Sequence, residues 1–469
     1  MTTAGDKRVL VVAKPASIIC ERPHMTITTE FHPSPESWQD ANAVLLRHED
    51  RAWLYRALTV EGEKVLAHIE RTLGLDGLAK LGFVHTERMQ QPFSGADSGW
   101  RTVIRHHRIA RVVYPMEWTM TMWREALAAF CDLSLGLMEH GLCLVDAEPH
   151  NFLFDEDGRP VFIDFGSLRV RGKKYWMRPG WHREFKDNFL MPILLDSAGF
   201  RQLAQSLKRE PFDTAFKRAY RGSLAGLPAL WIDGLRLTTR MLNQPGLYFK
   251  AIKAVLGRRR TARPTTEWSD YQTQGGAWGE WKDLALDETL SAMPGLRSVL
   301  DVAGNKGRHL FKAARHGLTA ILTDLDETSI DQARAEARQQ GLRVFFGQLD
   351  LCQPTPPWGK GLLMAGSYER LRSDLVMALA VSHHLARHSR MPFRTFAAIL
   401  DRYSQRCIMA EYVDVADIHV RKWVGKRGFP PAGYNEREFV AAFTALGYTV
   451  AKRWTDSADA RTIFLFEKP

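Results

Sequence analysis

Three carboxylates have a spacing that suits a nucleotide-containing ligand. Asp301, Asp324 and Asp350 each close a short apolar run that is predicted to be a buried strand. The first run leads into residues 302–307, a turn of small residues before a predicted helix. Small residues let the backbone pass close to a ligand, and amides at the start of a helix can donate to it. Asp324 follows Asp301 by 23 residues, close to the spacing at which an acid binds ribose hydroxyls in βαβ units.

The turn alone is weak evidence, because it does not complete the GxGxxG pattern. Its first small position is Ala303, followed by Gly304 and Gly307. An ordinary strand-to-helix turn is therefore the alternative for this segment taken by itself. Acids at three successive strand ends point to one crevice at the carboxyl edge of a sheet, and this combination favours a cofactor site.

A second group of polar residues lies in the first half of the chain. Asn151 follows Asp146 by five residues, and Asp164 follows it by 18. These are the intervals of a kinase catalytic loop and its DFG segment, in which one Asp accepts the substrate proton while an Asn and a second Asp hold magnesium. A predicted hairpin at 152–163, with an Asp-Gly turn, occupies the interval between them.

The remaining parts of a phosphotransferase are missing or altered. No glycine-rich phosphate loop precedes the group, and Arg56 stands where a kinase strand carries lysine, with Glu63 or Glu70 as its helix partner. The planar head of arginine does not replace that lysine freely. A structural or regulatory domain is favoured over an active enzyme, which would need ATP and Mg²⁺.

The elements that must position these residues divide the chain into two halves. Residues 1–255 run from strands to helices, which indicates an α+β domain. A basic, proline-containing run predicts a linker at 256–267. In residues 268–469 strands and helices alternate, so this half is α/β, with parallel strands and helices on both faces. The last predicted strand, 462–466, is expected to be antiparallel at a sheet edge.

Composition limits the class of protein. With 45% hydrophobic and 25% charged residues over 469 positions, the chain is globular rather than disordered. No apolar run approaches the roughly 20 residues that cross a bilayer, and no secretory signal is recognised, so no membrane partner is expected. Five scattered cysteines favour a reducing cytoplasm over a disulfide framework, and no metal site is predicted. The net charge of +11 fits nucleic acid, an anionic cofactor or an acidic substrate, or simply a solvated basic surface.

Residues 268–469 resemble a class I S-adenosylmethionine (SAM)-dependent methyltransferase with a Rossmann-like sheet. The resemblance runs from the 301–307 turn through Asp324, Asp350 and the segment 374–385 to residues 410–413. Within that superfamily, residues 368–370 and 383–385 resemble the NoeA-type nodulation methyltransferases, and this similarity extends over most of the chain. Residues 40–250 resemble protein-kinase-like and aminoglycoside-phosphotransferase-like folds, with a kinase-like site at Arg56, Asp146, Asn151 and Asp164.

The methyltransferase resemblance implies a role for individual residues. The methionine part of the cofactor would contact the turn. The ribose would contact Asp324 and its neighbour Leu325, and the adenine would contact Asp350 and Leu351. The floor beneath the sulfonium would be Ala378, Leu379 and Ala380. The implied residues of the turn are Asp301, Ala303, Gly304, Asn305 and Gly307. Ala303 stands where glycine is usual, and the implied role requires Lys306 to point outward.

Methyl transfer mainly requires alignment of the acceptor, the methyl carbon and the sulfur, together with a base for the acceptor proton. Candidate bases are His383, His384 and Glu411, at the carboxyl ends of predicted strands. Each histidine has the alternative of packing against the sheet and capping a helix, and Glu411 that of orienting the acceptor or binding a backbone amide. Three aromatic residues are either walls of the acceptor pocket or core, namely Tyr368, Tyr412 and Trp423.

Three functions remain open at the level of sequence. The favoured one is a SAM-dependent methyltransferase, with S-adenosylhomocysteine (SAH) as product, whose kinase-like domain shapes or presents a small-molecule, glycan or peptide acceptor. The second is a bifunctional kinase and methyltransferase. The third is an RNA-binding methyltransferase that uses basic residues in 169–174 and 258–263, but these are dispersed and no RNA-binding module is recognised, which disfavours nucleic acid. The acceptor and the oligomeric state stay undetermined.

Overall fold

The computed structural model divides the chain into two compact units. The first comprises residues 1–109, 114–155 and 159–262, and the second 110–113, 156–158 and 263–469. The predicted linker beyond residue 257, the start of the predicted second domain and the basic run 258–263 lie outside the described residues, as do residues 172–174. The described residues are 30–33, 42–48, 50, 52–90, 94–95, 101–171, 176, 178–208, 227–257, 280–358, 364–426, 428–458 and 460–468.

A six-stranded sheet forms one part of the first unit, in the order β4-β6-β3-β2-β1-β5. Neighbouring strands are antiparallel except β1 and β5. The predicted strand at 52–58 is the central β3, which carries Arg56. The strands are β1 (Glu30–Pro33), β2 (Ala43–Arg47), β3 (Trp53–Leu58), β4 (Thr86–Arg88), β5 (Ser94–Gly95) and β6 (Val103–His107).

Helix α1 (Val60–Thr72) begins at Thr59, whose hydroxyl accepts from the Gly62 amide at 3.2 Å, a typical N-cap. Gly62 lets the helix approach Asn42 closely, because an added Cβ would lie 2.0 Å from the Asn42 carbonyl oxygen. The Asn42 side-chain amide in turn donates to the Phe165 and Leu168 carbonyls at 3.1 and 2.8 Å. This single asparagine therefore connects the helix start to the segment after Asp164.

The rest of the first unit is mostly helical. The predicted helix at 116–140 forms a short 3₁₀ turn, Pro115–Glu117, and then α3 (Met120–Glu139). The predicted hairpin is present, because β8 (Phe152–Phe154) pairs antiparallel with β9 (Pro160–Phe162). A second antiparallel pair joins β7 (Leu142–Leu144) to β10 (Leu168–Val170). The other helices are α2 (Leu75–Lys80), α4 (Pro179–Phe185), α5 (Met191–Ser197), α6 (Arg201–Leu207), α7 (Leu227–Met241) and α8 (Pro245–Ile252).

The second unit contains a seven-stranded sheet in the order β13-β12-β11-β14-β15-β17-β16. The first five strands in this order are parallel, and β17 is antiparallel to both of its neighbours. The strands are β11 (Ser298–Val302), β12 (Thr319–Asp324), β13 (Val344–Gln348), β14 (Ser373–Ala378), β15 (Ser404–Val413), β16 (Thr449–Thr455) and β17 (Arg461–Glu467). The predicted alternation and parallel pairing are confirmed, and the sheet is a mixed Rossmann-like sheet.

Helices connect the strands of this sheet. They are α9 (Glu280–Ala292), α10 (Arg308–Arg315), α11 (Glu327–Gln339), α12 (Ser367–Arg370), α13 (Ser382–His388), α14 (Phe393–Tyr403) and α15 (Glu436–Thr444). The chain moves outward from β11 to β13 and then crosses back to β14 on the other side of β11. Strand order therefore reverses between β11 and β14, and in such sheets the crevice at the carboxyl ends of those strands is where ligands bind.

The strands next to this reversal are buried along their whole length, every residue of β11 and β14 included. Their apolar side chains join those of α9, α10 and α11 in one core. The predicted edge position of the last strand was wrong, because β17 lies between β15 and β16. The outer strand, β16, is mostly exposed and contains two cations, so it has no apolar run by which it could be recognised.

None of the helices in the described residues has the length and apolar composition needed to cross a membrane.

Candidate functional site

The turn after β11 is tightly wound around Asp301. Three of its residues, Ala303, Asn305 and Gly307, have positive φ angles of 55°, 50° and 76°. At Gly304 an added Cβ would lie 2.7 Å from the Asp301 Oδ2, so only glycine fits against the carboxylate. Ala303 and Asn305 therefore adopt a left-handed backbone conformation, which has a steric cost for residues other than glycine. The result is a narrow turn whose backbone a ligand can approach.

Asp324 joins the ends of β11 and β12. Its Oδ2 accepts from the Asn305 amide at 2.8 Å, and its Oδ1 accepts from the Asp326 amide at 2.8 Å. Burial raises the pKa of Asp324, while these backbone hydrogen bonds oppose that rise. Each carboxylate oxygen has a second lone pair, so both can still accept from ligand hydroxyls. Leu325, next in the chain, is 62% exposed at this rim.

Asp301 is buried and lacks a cationic hydrogen-bond partner. In the part of the chain that the structure describes, the charges that act on its carboxylate are those of Asp324 and Lys282, and no hydrogen bond contributes to its pKa. Burial raises the pKa of Asp301 to about 8, the negative charge of Asp324 adds to the rise, and Lys282 opposes it. A ligand cation beside Asp301 would favour the ionised form and gain from the interaction.

Asp350 lies beyond β13, on the far side of β12 from the 301–307 turn. Its Oδ1 accepts from the Cys352 amide at 2.8 Å, and its carbonyl accepts from the Gln353 amide at 3.0 Å. Leu351 between them is buried. Asp350 thus stabilises its own turn and leaves its second carboxylate oxygen for a donor. The three predicted acids therefore follow three adjacent parallel strands.

Glu411, on β15, is the centre of a buried ion-pair network. Its Oε2 accepts from the Lys282 Nζ at 2.5 Å and from the Ala380 amide at 2.6 Å, and its Oε1 accepts from Arg461 at 3.3 Å. Arg461 also donates to Asp417 at 2.8 Å. Burial alone would raise the pKa of Glu411, but the two cations hold it below its usual value.

This network fixes the loop beyond β14. Ala378 and Leu379 are buried, and Ala380 has a φ of 55° that its hydrogen bond to Glu411 holds in place. The Ser382 hydroxyl donates to the Glu411 carbonyl at 2.7 Å. Of the three roles open to Glu411, the geometry favours binding of a backbone amide over proton transfer or orienting the acceptor, because its oxygens are already occupied by strong donors.

Two histidines follow directly on α13. His383 is 1% exposed, and its Nδ1 forms no hydrogen bond with the described protein atoms. Burial, followed by the charges of His384, Arg461 and Lys282, places the pKa of His383 well below its usual value. The pKa of His384 falls to about 3, mainly through burial. Both rings are therefore neutral at pH 7.

The three aromatic candidates have different surroundings. Trp423 is half-buried, and its ring centroid lies 5.7 and 5.3 Å from those of His383 and His384. Tyr412 is core, because it is 2% exposed and packs on Tyr434 at 5.8 Å. Tyr368 is half-buried under the Arg402 guanidinium, 3.7 Å from its ring centroid. Only Trp423 therefore adjoins the histidines.

Two residues of the site were missed from sequence. Lys282 lies on α9, which no periodicity predicted, and its partner Glu411 is 129 residues away. Arg461 is the first residue of β17. A charged residue directly before an apolar run was the sequence feature that could have indicated a buried ion pair. Among the described residues, no group of three or more His, Cys, Asp or Glu side chains is arranged to hold a metal.

Among the kinase-like residues of the first unit, Arg56 and Asp164 lie close together. The Arg56 guanidinium is buried, and its Nη1 lies 3.9 Å from the Asp164 Oδ1. Asp164 also accepts from the Gly166 amide at 2.9 Å. Asn151 is buried, and its carbonyl accepts from the Ile163 amide at 2.9 Å. The Asp146 amide donates to the Ser167 hydroxyl oxygen at 3.1 Å. The kinase-like identity of the unit stays a prediction.

The predicted helix partner of Arg56 was wrong. Glu63 accepts from the Thr102 hydroxyl at 2.9 Å, and Glu70 pairs with Arg88 at 3.2 Å. The carboxylate that faces Arg56 is instead that of Asp164, 108 positions later in the chain. Both glutamates lie on α1, and helical spacing alone could not tell which direction each would face.

Comparison with known proteins gives one curated relative and several solved structures. No protein-family model matches the chain. Nodulation protein NoeA of Rhizobium meliloti (strain 1021) is 26% identical over 408 residues, covering 78% of this chain and 82% of the relative. Magnesium protoporphyrin IX methyltransferase (ChlM) of Synechocystis PCC 6803 with bound SAH is 16% identical, with 44% of this chain and 90% of that chain covered and a TM-score of 0.30.

N-methyltransferase NodS of Bradyrhizobium japonicum WM9 in complex with SAH is 14% identical. The match covers 43% of this chain and 92% of that chain, with a TM-score of 0.32.

Proposed function

We propose that the chain is a SAM-dependent methyltransferase whose second unit binds the cofactor at the carboxyl edge of the Rossmann-like sheet. The observation that carries the proposal is the hydrogen bond from the Asn305 amide to Asp324 at 2.8 Å. It holds the turn after β11 against the carboxylate that ends β12, which is the arrangement that a nucleoside bound at both would need. Similarity to NoeA is consistent with this proposal.

The surroundings of each acid fit one part of SAM. The ribose hydroxyls would donate to Asp324, whose oxygens retain lone pairs, and the adenine would lie against Asp350 and Leu351. The methionine ammonium would pair with Asp301, which has no other cationic hydrogen-bond partner in the described part of the chain. The sulfonium would lie over Ala378 and Leu379, where small and apolar groups leave room for the methyl.

His383 is proposed as the base. The lone pair of the acceptor atom attacks the methyl carbon, the carbon–sulfur bond breaks with its electron pair going to sulfur, and the acceptor proton passes to the neutral imidazole. The His383 Nδ1 suits this step because it makes no hydrogen bond to the described protein atoms. Glu411 is a positioning residue that acts through the Ala380 amide.

The first unit is proposed to be a scaffold that shapes or presents a small-molecule, glycan or peptide acceptor. Asp164, the acid that would hold magnesium in an active kinase, faces the Arg56 guanidinium and accepts from the Gly166 amide. A cation next to this carboxylate competes with a metal for it. The bifunctional alternative, with ATP and Mg²⁺, therefore has less support.

Cofactor binding by the full-length chain is the test. Calorimetry should give SAH binding to the natural protein and about 100-fold weaker binding to Asp324→Asn, the loss of roughly two charge-assisted hydrogen bonds. Glu336→Gln, an equal change at an exposed position on α11, is the matched control and should bind normally. Absence of SAH binding by the natural protein, or equal affinity in Asp324→Asn, contradicts the proposal.

A further inference from the structure

The Arg387 guanidinium stacks on the indole of Trp423. Its central carbon lies 4.1 Å from the ring centroid, and both side chains are half-buried. A guanidinium that stacks through its face keeps its in-plane N–H donors directed outward, where they match the two oxygens of a carboxylate or phosphate. Trp423 thus fixes the position of the Arg387 guanidinium over its ring.

Arg387 has no acidic partner among the described residues. The acids of the surrounding segment, residues 380–426, are engaged elsewhere. Asp401 accepts from Tyr448, Glu411 from Lys282 and Arg461, Asp414 from Tyr412, and Asp417 from Arg461. A half-buried cation without an anion has lost part of its hydration and has gained no ion pair in return. This imbalance favours an anionic ligand.

The surroundings of Arg387 are positive. Burial lowers the pKa of His384 most, and the nearby basic side chains of His388, Arg461 and Arg387 lower it further; of these, Arg461 is paired with Glu411 and Asp417. Arg421 and Lys422, on the same short turn as Trp423, are exposed and have no ion-pair partner in the described residues. An anion that approaches this rim therefore meets the positive charges of Arg387, Arg421 and Lys422.

Arg387 also has a fixed relation to the proposed base. His383 and Arg387 are four residues apart on α13, so their side chains share one face about one helical turn, roughly 5.4 Å, apart. The rings of His383 and Trp423 are nearly parallel, with an interplanar angle of 20°. The His383 ring and the Arg387 guanidinium therefore both contact the indole of Trp423.

We propose that Arg387, held by Trp423, binds an oxyanion group of the methyl acceptor, a carboxylate or a phosphate, about one helical turn from His383. This inference rests on the proposed function, because it assigns the anion to the acceptor. It narrows the acceptor to a molecule that carries an anionic group close to the methylated atom. A neutral sugar or an uncharged amine would not use the guanidinium.

The test is calorimetric titration of the full-length protein with inorganic phosphate and, separately, with acetate. Each titration is done without cofactor and again with saturating SAH. We expect the natural protein to bind anion both without cofactor and with saturating SAH. The anion that binds more tightly indicates whether the group on the acceptor is a phosphate or a carboxylate. Arg387→Gln should bind about tenfold more weakly or worse, and Arg387→Lys should be intermediate because an ammonium cannot form the bidentate contact. Arg315→Gln, exposed at the end of α10, should bind as the natural protein does.

Three outcomes overturn the inference. They are equal anion affinity in Arg387→Gln and the natural protein, no anion binding by the natural protein, and displacement of the anion by SAH, which would assign Arg387 to the cofactor carboxylate. Circular dichroism of Arg387→Gln verifies that it is folded. Failure of the proposed function is seen separately as absence of SAH binding, while the titration without cofactor still reports on Arg387.

Discussion

The Nζ of Lys282 lies 2.5 Å from the Oε2 of Glu411, so a cation on the helix before the sheet neutralises a carboxylate on β15. Their side chains are 8% and 0% exposed. Glu411 also accepts a hydrogen bond from the Ala380 amide. The ion pair therefore connects α9 to the loop that is proposed to lie beneath the sulfonium. The position of that loop depends on a residue nearly 100 positions earlier in the chain.

Replacing Lys282 by methionine should destabilise the protein by about 3–5 kcal/mol, because it leaves a buried carboxylate with only part of its compensation. Urea unfolding measures the change. Lys312→Met is the matched control, since Lys312 pairs with Asp287 at a more exposed position and should cost under about 1 kcal/mol. Equal changes in unfolding free energy for the two substitutions would show that the buried Lys282 pair stabilises the protein no more than the more exposed Lys312 pair.

The pKa of Asp301 predicts how stability changes with pH. Its folded-state pKa of about 8 lies above the unfolded value of about 3.9, so between these values the folded chain binds more protons. The contribution of Asp301 to stability is therefore fully present below about pH 4 and is lost as pH rises toward 8, at up to about 1.4 kcal/mol per pH unit. Urea unfolding of the cofactor-free protein at several pH values measures this loss.

Asp301→Asn is the control for this pH dependence, because an amide does not titrate in the range. The difference in unfolding free energy between the two proteins should change steadily from pH 5 to pH 8. A difference that stays constant over that range would mean that Asp301 is ionised throughout in the folded protein.

His383→Asn should lower the rate of methyl transfer by about 10²–10⁴-fold while leaving SAH affinity nearly unchanged, as expected for loss of a base. Transfer of labelled methyl from SAM to acceptors in cell extract measures the rate, and calorimetry measures the affinity. His384→Asn, at the neighbouring ring, is the comparison. A larger loss in His384→Asn than in His383→Asn would reverse the assignment of the base.

Asp164→Asn should leave methylation nearly normal if the first unit is a scaffold. The amide keeps an oxygen that can accept from Gly166, so the local turn should persist. The same preparations are assayed for magnesium-dependent ATP turnover. Turnover by the natural protein that disappears in Asp164→Asn would instead support the bifunctional kinase and methyltransferase.

Much of the second unit could be predicted because its strands are buried runs of apolar residues. β11 and β14 were found in this way, and the 23-residue interval from Asp301 to Asp324 indicated which strand ends are neighbours. The partners of Glu411 could not be predicted, since Lys282 and Arg461 are distant in sequence and no periodicity connects them. The direction of Glu63 was equally hidden, because an amphipathic helix fixes a buried face but not the atom that each side chain meets.

The charged outer strand β16 has a consequence for how copies of this protein behave at high concentration. A free sheet edge is a template on which another chain can add a strand. Here the pairing of β16 with β17 is irregular between Val450 and Lys452, and the exposed strand carries Lys452 and Arg453. A bulge and charged side chains, with Lys452 paired to Glu288 and Arg453 to Glu436, make strand addition by another chain at this edge unfavourable.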